Sequence, residues 1–271
     1  MTFTGTIGAL CMYPLRAIIE LCVRLGVHPN LLTLTGVIIN AGAGWALGTG
    51  HFRTAGLVMV IANIFDFIDG KVAERTALSS RFGGFWDSVM DRFSDILLFI
   101  GLIYLYAALD RTDYVLITAL ALMFSVMTSY TRARAESLIE KCKVGFMERP
   151  ERIVLFMIGA FTNRMGAVMW VILVLSVVTV VDRIYYTWHE LRTADQDHVP
   201  RRVRMTFKRA LALPAIAVWH ALFWTFERAT WQYDLMVLAI LAFVWVTPPG
   251  WLGDPMVDGP GLIGLLGALF S

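Results

Sequence analysis

Charge is what this sequence has least of. Lys, Arg, Asp and Glu together make up 16% of its 271 residues, whereas a soluble domain carries about a quarter. Hydrophobic residues make up 58% and the mean hydropathy is +0.66. The apolar residues are gathered into long blocks, which is the pattern of a membrane protein and excludes an ordinary water-soluble globule. Cysteine is also scarce: Cys11, Cys22 and Cys142 are odd in number, far apart and without a C-x-x-C spacing. They exclude a disulfide framework or a thiolate zinc site and read as small apolar fillers. The N-terminus lacks a basic leader region, so no cleavable signal peptide is expected. Arg16, Glu20 and Arg24 instead punctuate an apolar pattern over residues 3–26, the mark of an amphipathic helix lying on the membrane surface. The net charge of +2 says little alone, and no nucleic-acid partner is expected.

Apolar blocks fit to cross a bilayer stand at about 31–49, 54–73, 84–108, 112–134 and 165–182, with a shorter one at about 150–162. A span needs roughly 20 apolar residues, so the short block crosses only if packed among others. The fold expected is therefore an all-α integral membrane protein: six transmembrane helices behind an N-terminal amphipathic helix (residues 1–28), with an appended C-terminal helical hairpin. The membrane domain is placed at 1–190. A polar linker, a hairpin over about 210–227 and 232–247, and an apolar stretch near 261–270 fill 191–271. His220 and Glu227 in that hairpin read as interfacial or helix-end residues. Short turns at Gly48–Gly50, Asp110–Asp113 and Thr162–Arg164 share one membrane face. The other connections hold Lys71, Arg75 and Arg81, then Arg132, Arg134, Lys141, Lys143, Arg149 and Arg152, then the basic run from Arg183 to Arg209. Basic residues concentrate on the cytoplasmic side, which places both ends of the six-helix core there.

Within this apolar chain one stretch concentrates acids. Asp66 and Asp69 are spaced i, i+3, and Asp87 and Asp91 are spaced i, i+4. Each spacing puts two carboxylates on one helix face. Both pairs lie at the basic ends of helices joined by a short loop, so the two faces can meet. Carboxylates near hydrocarbon are costly, about 2.5–3.5 kcal/mol each on insertion scales, and four together repel. Hard oxygen ligands grouped in this way suit Mg²⁺ or Mn²⁺. Gly70 and Gly83 leave helix surface open for a bulky group such as a nucleotide; close helix packing would use glycine in the same way.

The run Asp66, Asp69, Gly70, Ala73, Gly83, Asp87, Asp91 resembles the signature of the CDP-alcohol phosphotransferase family, D-x2-D-G-x2-A-R-x8-G-x3-D-x3-D. One position departs: Glu74 stands where the family has Arg, and Arg75 follows it. The resemblance covers residues 1–190. It implies six helices around a cytoplasm-facing cavity, in a multi-pass protein of a prokaryotic plasma membrane that forms a homodimer. It further implies that Asp66, Asp69, Asp87 and Asp91 hold two Mg²⁺ or Mn²⁺ ions. Asp91 would also act as general base, and Asp69, Gly70, Ala73, Arg75, Gly83 and Asp87 would contact the CDP-lipid, CDP-diacylglycerol or CDP-archaeol.

A second segment bears on the acceptor. Ser129, Arg132 and Arg134 lie in a run that ends at Glu136, and Arg149 and Arg152 flank Pro150, which fits the first turn of a new helix. Gathered guanidinium groups suit a phosphate; a basic cytoplasmic loop against anionic lipid has the same composition, and chemistry alone does not separate the two. Both runs resemble the phosphatidylinositol-phosphate and archaetidylinositol-phosphate synthase branch. That likeness implies inositol phosphate as acceptor, bound by Ser129, Arg132, Arg134, Arg149 and Arg152. Glycerol 3-phosphate is the rival acceptor within the same chemistry, and a catalytically degenerate membrane scaffold is the rival of another class. A transporter would want ionisable groups near the bilayer midplane, whereas these aspartates sit toward one end.

Overall fold

The computed structural model describes residues 15–196 and 231–255. The described residues form helices and connecting turns with no strand. The helices, in chain order, are α1 (15–24), α2 (Pro29–Gly48), α3 (Phe52–Arg75), α4 (Arg81–Ala108), α5 (Thr112–Glu136), α6 (Arg149–Thr162), α7 (Met165–Gln196), α8 (Trp231–Val246) and the single turn α9 (Pro249–Leu252). They fall into two compact units, Met1–Ala108 and Leu109–Ser271.

In the first unit α2 packs on both α3 and α4. Its N-terminus is set by His28, whose Nδ1 accepts from the Asn30 N–H at 3.2 Å, with Pro29 in the first turn. Pro there loses nothing, because its missing N–H is one a helix start leaves unbonded. Gly44 lets α2 approach α4: a Cβ at that position would lie 2.5 Å from the Leu97 carbonyl oxygen. Small residues at a crossing allow two backbones to meet where lipid supplies no hydrophobic drive. One turn away Asn40 Nδ2 donates to Ser94 Oγ at 2.7 Å, so the interface is also hydrogen-bonded. Helix α1 presents Ile19 to a cluster with Leu32, Ile68 and Val72, while Arg16, Glu20 and Arg24 stay exposed. The described part of this segment is amphipathic; residues 3–14, with Cys11, lie outside the described residues.

In the second unit α7 packs on α5, α6, α8 and α9. The connection from α5 to α6 is pinned by α7: Met147 N–H donates to Thr179 Oγ1 at 3.0 Å. Gly145 has φ +90°, and a Cβ there would strike the Thr179 side chain, so only glycine suits. Cys142 is buried in this connection, and burial pushes its thiol up, in keeping with a protonated filler.

Among the described residues, three helices are long and apolar enough to cross a membrane by length and composition: α2, α5 and α7 over Met165–Thr193. Helices α3 and α4, 24 and 28 residues long, have the length but carry the acids of the site, and α6 has 14 residues. One expectation changes. Helix α7 runs to Gln196, well past the expected end of its apolar block at 182, because Asp182 and Arg183 are buried within it and do not terminate it. The expected hairpin is described only in its second half. Its first half, 210–227 with His220 and Glu227, lies outside the described residues, as does 261–270. Its second half, α8, runs parallel to α6. At one end Tyr233 Oη donates to Glu151 at the start of α6, at 3.1 Å; at the other, Arg164 Nη1, just past α6, donates to the Thr247 carbonyl at 2.8 Å. Helix α7 ends on the side where α6 and α8 begin, since Arg183 already reaches the Val144 carbonyl.

Beyond α8 the chain is fastened by polar contacts. Arg111 Nη2 donates to the Gly253 carbonyl at 2.6 Å, Tyr114 Oη to the Leu252 carbonyl at 2.8 Å, and Asp254 Oδ2 accepts from the Gly166 N–H at 3.0 Å. Asp254 thus caps the N-terminus of α7 from 88 residues away.

Candidate active site

Helices α3 and α4 are joined by a tight turn over Thr76–Ser80. Ala77 adopts φ +53°, and the Leu78 N–H returns to the Ala73 carbonyl at 3.1 Å. Ser80 then caps α4: its Oγ accepts from the Gly83 N–H at 2.9 Å, worth about 1 kcal/mol at a helix start. This turn fixes the register in which Asp87 faces Asp66 and Asp69. Ligand oxygens of Asp66, Asp69 and Asp87 all lie within 4.8 Å of one another. At that separation two carboxylates repel by about 3.5 kcal/mol per pair for an effective dielectric near 20, so the cluster as folded calls for a cation. The donors are hard oxygens, and no Lys or Arg is among the residues lining the adjoining cavity, which suits a divalent metal such as Mg²⁺ or Mn²⁺.

That cavity has a volume of about 350 Å³. Its wall is made by Pro29, Asn30 and Thr33 of α2, by Asp66, Asp69, Gly70 and Ala73 of α3, and by Leu78 to Ser80, Gly83, Gly84 and Asp87. A Cβ on Gly70 or Gly84 would meet nothing, so both glycines leave free space along the wall. Asp69 is the most buried of the three acids, at 6% exposure, and Thr33 Oγ1 donates to its Oδ2 at 2.5 Å.

Asp91 stands outside the three-acid group. It lies one turn further along α4, its side chain 14% exposed, with Arg92 Nη1 at 3.5 Å. Arg75 does not line the cavity; its Nη1 donates to Glu20 of α1 at 3.2 Å. Glu74 points to the exposed surface, where Lys71 Nζ meets it at 2.8 Å. The charge reversal in the motif thus forms a local ion pair outside the cavity lining.

In the second unit the basic residues form their own cluster. Arg132 on α5 donates through Nε to Glu136 at 3.1 Å and through Nη1 to Glu148 at 2.9 Å. Arg152, one turn into α6, is 1% exposed; Ser129 and Arg149 are half-buried. Arg134 turns outward and donates to Ser137 Oγ at 3.2 Å, apart from this group. Sequence reasoning missed Arg183. It is 2% exposed, donates to the carbonyls of Val144 and Thr128, and reaches Glu148 Oε1 at 3.2 Å. The signal available was an arginine directly after an apolar span: an ionisable group that close to hydrocarbon is a site candidate by default. Thr33 was missed too; its marker is the His28-Pro29-Asn30 helix start, which places residue 33 one turn inside α2.

A membrane protein that gathers three carboxylates beside a nucleotide-sized cavity has the makings of a metal-dependent phosphotransferase. The profile of the CDP-alcohol phosphatidyltransferase family matches residues 26–182, and the chain belongs to that family. It is 33% identical over 175 residues to an archaetidylinositol phosphate synthase of Methanothermobacter thermautotrophicus, covering 62% of this chain and 87% of that one. It is also 33% identical over 181 residues to a phosphatidylinositol phosphate synthase of Mycobacteroides abscessus, covering 63% and 80%. The crystal structure of Mycobacterium tuberculosis phosphatidylinositol phosphate synthase with CDP-DAG bound superposes with a TM-score of 0.60 at 27% identity, covering 71% of this chain and 98% of that one. The same enzyme in complex with manganese and citrate gives 0.59 at 28% identity, covering 70% and 92%.

Proposed function

We propose that the protein transfers the lipid phosphoryl group of CDP-diacylglycerol or CDP-archaeol to a hydroxyl of inositol phosphate, releasing CMP. The convergence of Asp66, Asp69 and Asp87 on the cavity walled by Gly70, Ala73 and Gly83 carries this reading. The activities of the archaetidylinositol and phosphatidylinositol phosphate synthases it resembles agree with it. The carboxylates hold one or two divalent cations, Mg²⁺ or Mn²⁺, with Asp91 completing the set. Such ions neutralise the diphosphate, polarise the phosphorus and stabilise the departing CMP. The glycines admit the nucleotide. Asp91 takes the proton of the acceptor hydroxyl as its oxygen bonds to phosphorus and the bond to the CMP oxygen breaks. Ser129, Arg132, Arg149 and Arg152, joined by Arg183, hold the acceptor's own phosphate. Helices α2 to α7 are taken to cross the membrane, with the site facing the cytoplasm of a prokaryotic cell and the protein working as a homodimer.

The purified protein with Mg²⁺ and CDP-diacylglycerol is expected to release CMP when given inositol phosphate, and Asp91→Asn to release none while expressing normally. Turnover with glycerol 3-phosphate and none with inositol phosphate would replace the acceptor. Undiminished turnover in Asp91→Asn would remove Asp91 from catalysis.

A further inference from the structure

The cationic cluster of the second unit already holds an anion. Oε1 of Glu148 accepts from Arg132 Nη1 at 2.9 Å and from Arg183 Nη2 at 3.2 Å. One carboxylate oxygen therefore bridges guanidinium groups carried by two different helices, α5 and α7. Arg183 is fixed in this position, because the carbonyls of Val144 and Thr128 take its other donors. Arg132 is shared with Glu136. The row Glu136, Arg132, Glu148, Arg183 alternates in sign, so as folded the Glu148 carboxylate takes the place between Arg132 and Arg183 that an incoming phosphate would need. Glu148 is the member placed to leave. It stands at the N-cap of α6 with extended backbone (φ −93°, ψ 179°), its side chain makes no capping bond to that helix, and it is 24% exposed.

We propose that Glu148 is a placeholder for the acceptor's phosphate, its carboxylate occupying the position between Arg132 and Arg183 until a phosphomonoester displaces it. This rests on the reading above that the cluster binds that phosphate. Two guanidinium groups held close together with nothing between them would repel, and the buried one would lose the carboxylate it touches. Glu148 stabilises the empty site. It also sets what can fill it. A phosphomonoester is close to a dianion at neutral pH and offers three strong acceptor oxygens, so it gains charge and hydrogen bonds over the carboxylate it replaces. A monoanion gains no charge over that carboxylate. Membrane phospholipid headgroups are mostly phosphodiesters with one negative charge on phosphorus. The placeholder thus discriminates the phosphorylated acceptor from the lipid surface around it.

The test uses the full-length protein with Mg²⁺, CDP-diacylglycerol and inositol phosphate, and measures inhibition of CMP release by inorganic phosphate, sulfate and dimethyl phosphate. In the unaltered protein, phosphate and sulfate should compete with the acceptor and dimethyl phosphate should not. Glu148→Gln should lower the inhibition constant of inorganic phosphate about tenfold or more, the scale of removing one unit charge beside a dianion even at water-like dielectric, and should make dimethyl phosphate an inhibitor. Glu148→Asp, which keeps the charge, should preserve the wild-type order of inhibitors. Phosphate binding unchanged or weakened in Glu148→Gln would make Glu148 mere scaffolding, as would dimethyl phosphate matching inorganic phosphate in the unaltered protein, a comparison that needs no variant. Arg183→Gln separates the two levels. If it abolishes phosphate inhibition while Glu148→Gln fails to tighten it, the placeholder falls and the acceptor site stands. If Arg183→Gln alters neither phosphate inhibition nor the KM for inositol phosphate, the acceptor site itself is misplaced.

Discussion

Thr33 orients a carboxylate of the metal cluster, and removing its hydroxyl should weaken metal binding before it weakens anything else. Thr33 is 6% exposed on α2 and donates to Asp69 Oδ2 at 2.5 Å; the Pro29 carbonyl lies 3.2 Å from the same hydroxyl. That bond fixes the orientation of the Asp69 carboxylate within the group it forms with Asp66 and Asp87. Thr33→Val keeps the shape of the side chain and deletes the donor. Outer partners of metal ligands are worth about 10- to 100-fold in affinity, which is about 1.4–2.7 kcal/mol. The manganese dissociation constant, followed by the loss of the free-ion paramagnetic resonance signal, should rise by that factor. Thr33→Ser should restore most of it. The thermal midpoint should move by only a few degrees, the effect of one hydrogen bond of about 1 kcal/mol. A manganese affinity equal to wild type in Thr33→Val, in protein that folds normally, would refute the role assigned to Thr33. So would an equal loss in Thr33→Ser.

Two further outcomes follow from the packing. Since α8 runs parallel to α6, Trp251→Cys in a chain whose Cys11, Cys22 and Cys142 are replaced by alanine should react with an impermeant thiol reagent from the membrane face opposite the one that labels Ser137→Cys; labelling of both from one face would contradict the direction of α8. Gly44→Ala should destabilise the protein by about 1–3 kcal/mol, because its Cβ meets the Leu97 backbone, read as a lowered unfolding midpoint in detergent; an unchanged midpoint would mean that α2 and α4 do not meet at Gly44.

The acids were legible in the sequence because helical spacing is local: three or four residues fix which carboxylates share a face, and Asp66, Asp69 and Asp87 converge as that arithmetic requires. Helix positions were legible for a similar reason, with α2 to α6 starting and ending within a few residues of the apolar blocks. What could not be read depends on partners far along the chain. Arg75 follows the motif but reaches back to Glu20 on α1, 55 residues away. Asp91 shares a helix face with Asp87, yet the group that closes on α3 stops at Asp87. In the sequence Arg183 reads as the first of a basic run after an apolar span, because charge usually ends such a span. In the fold two backbone carbonyls and Glu148 satisfy it, and the helix continues. The direction of α8 is likewise set by Glu151, Arg164 and Asp254, contacts that no hydropathy pattern encodes.

The account rests on the cation that Asp66, Asp69 and Asp87 would share. Manganese titrated into the purified protein and followed by paramagnetic resonance should bind to the wild type, should show an altered signal when CDP-diacylglycerol is added, and should bind at least 10-fold more weakly to Asp69→Asn and Asp87→Asn. Equal manganese binding in the wild type and both variants, with CDP-diacylglycerol leaving the signal unchanged, would contradict it.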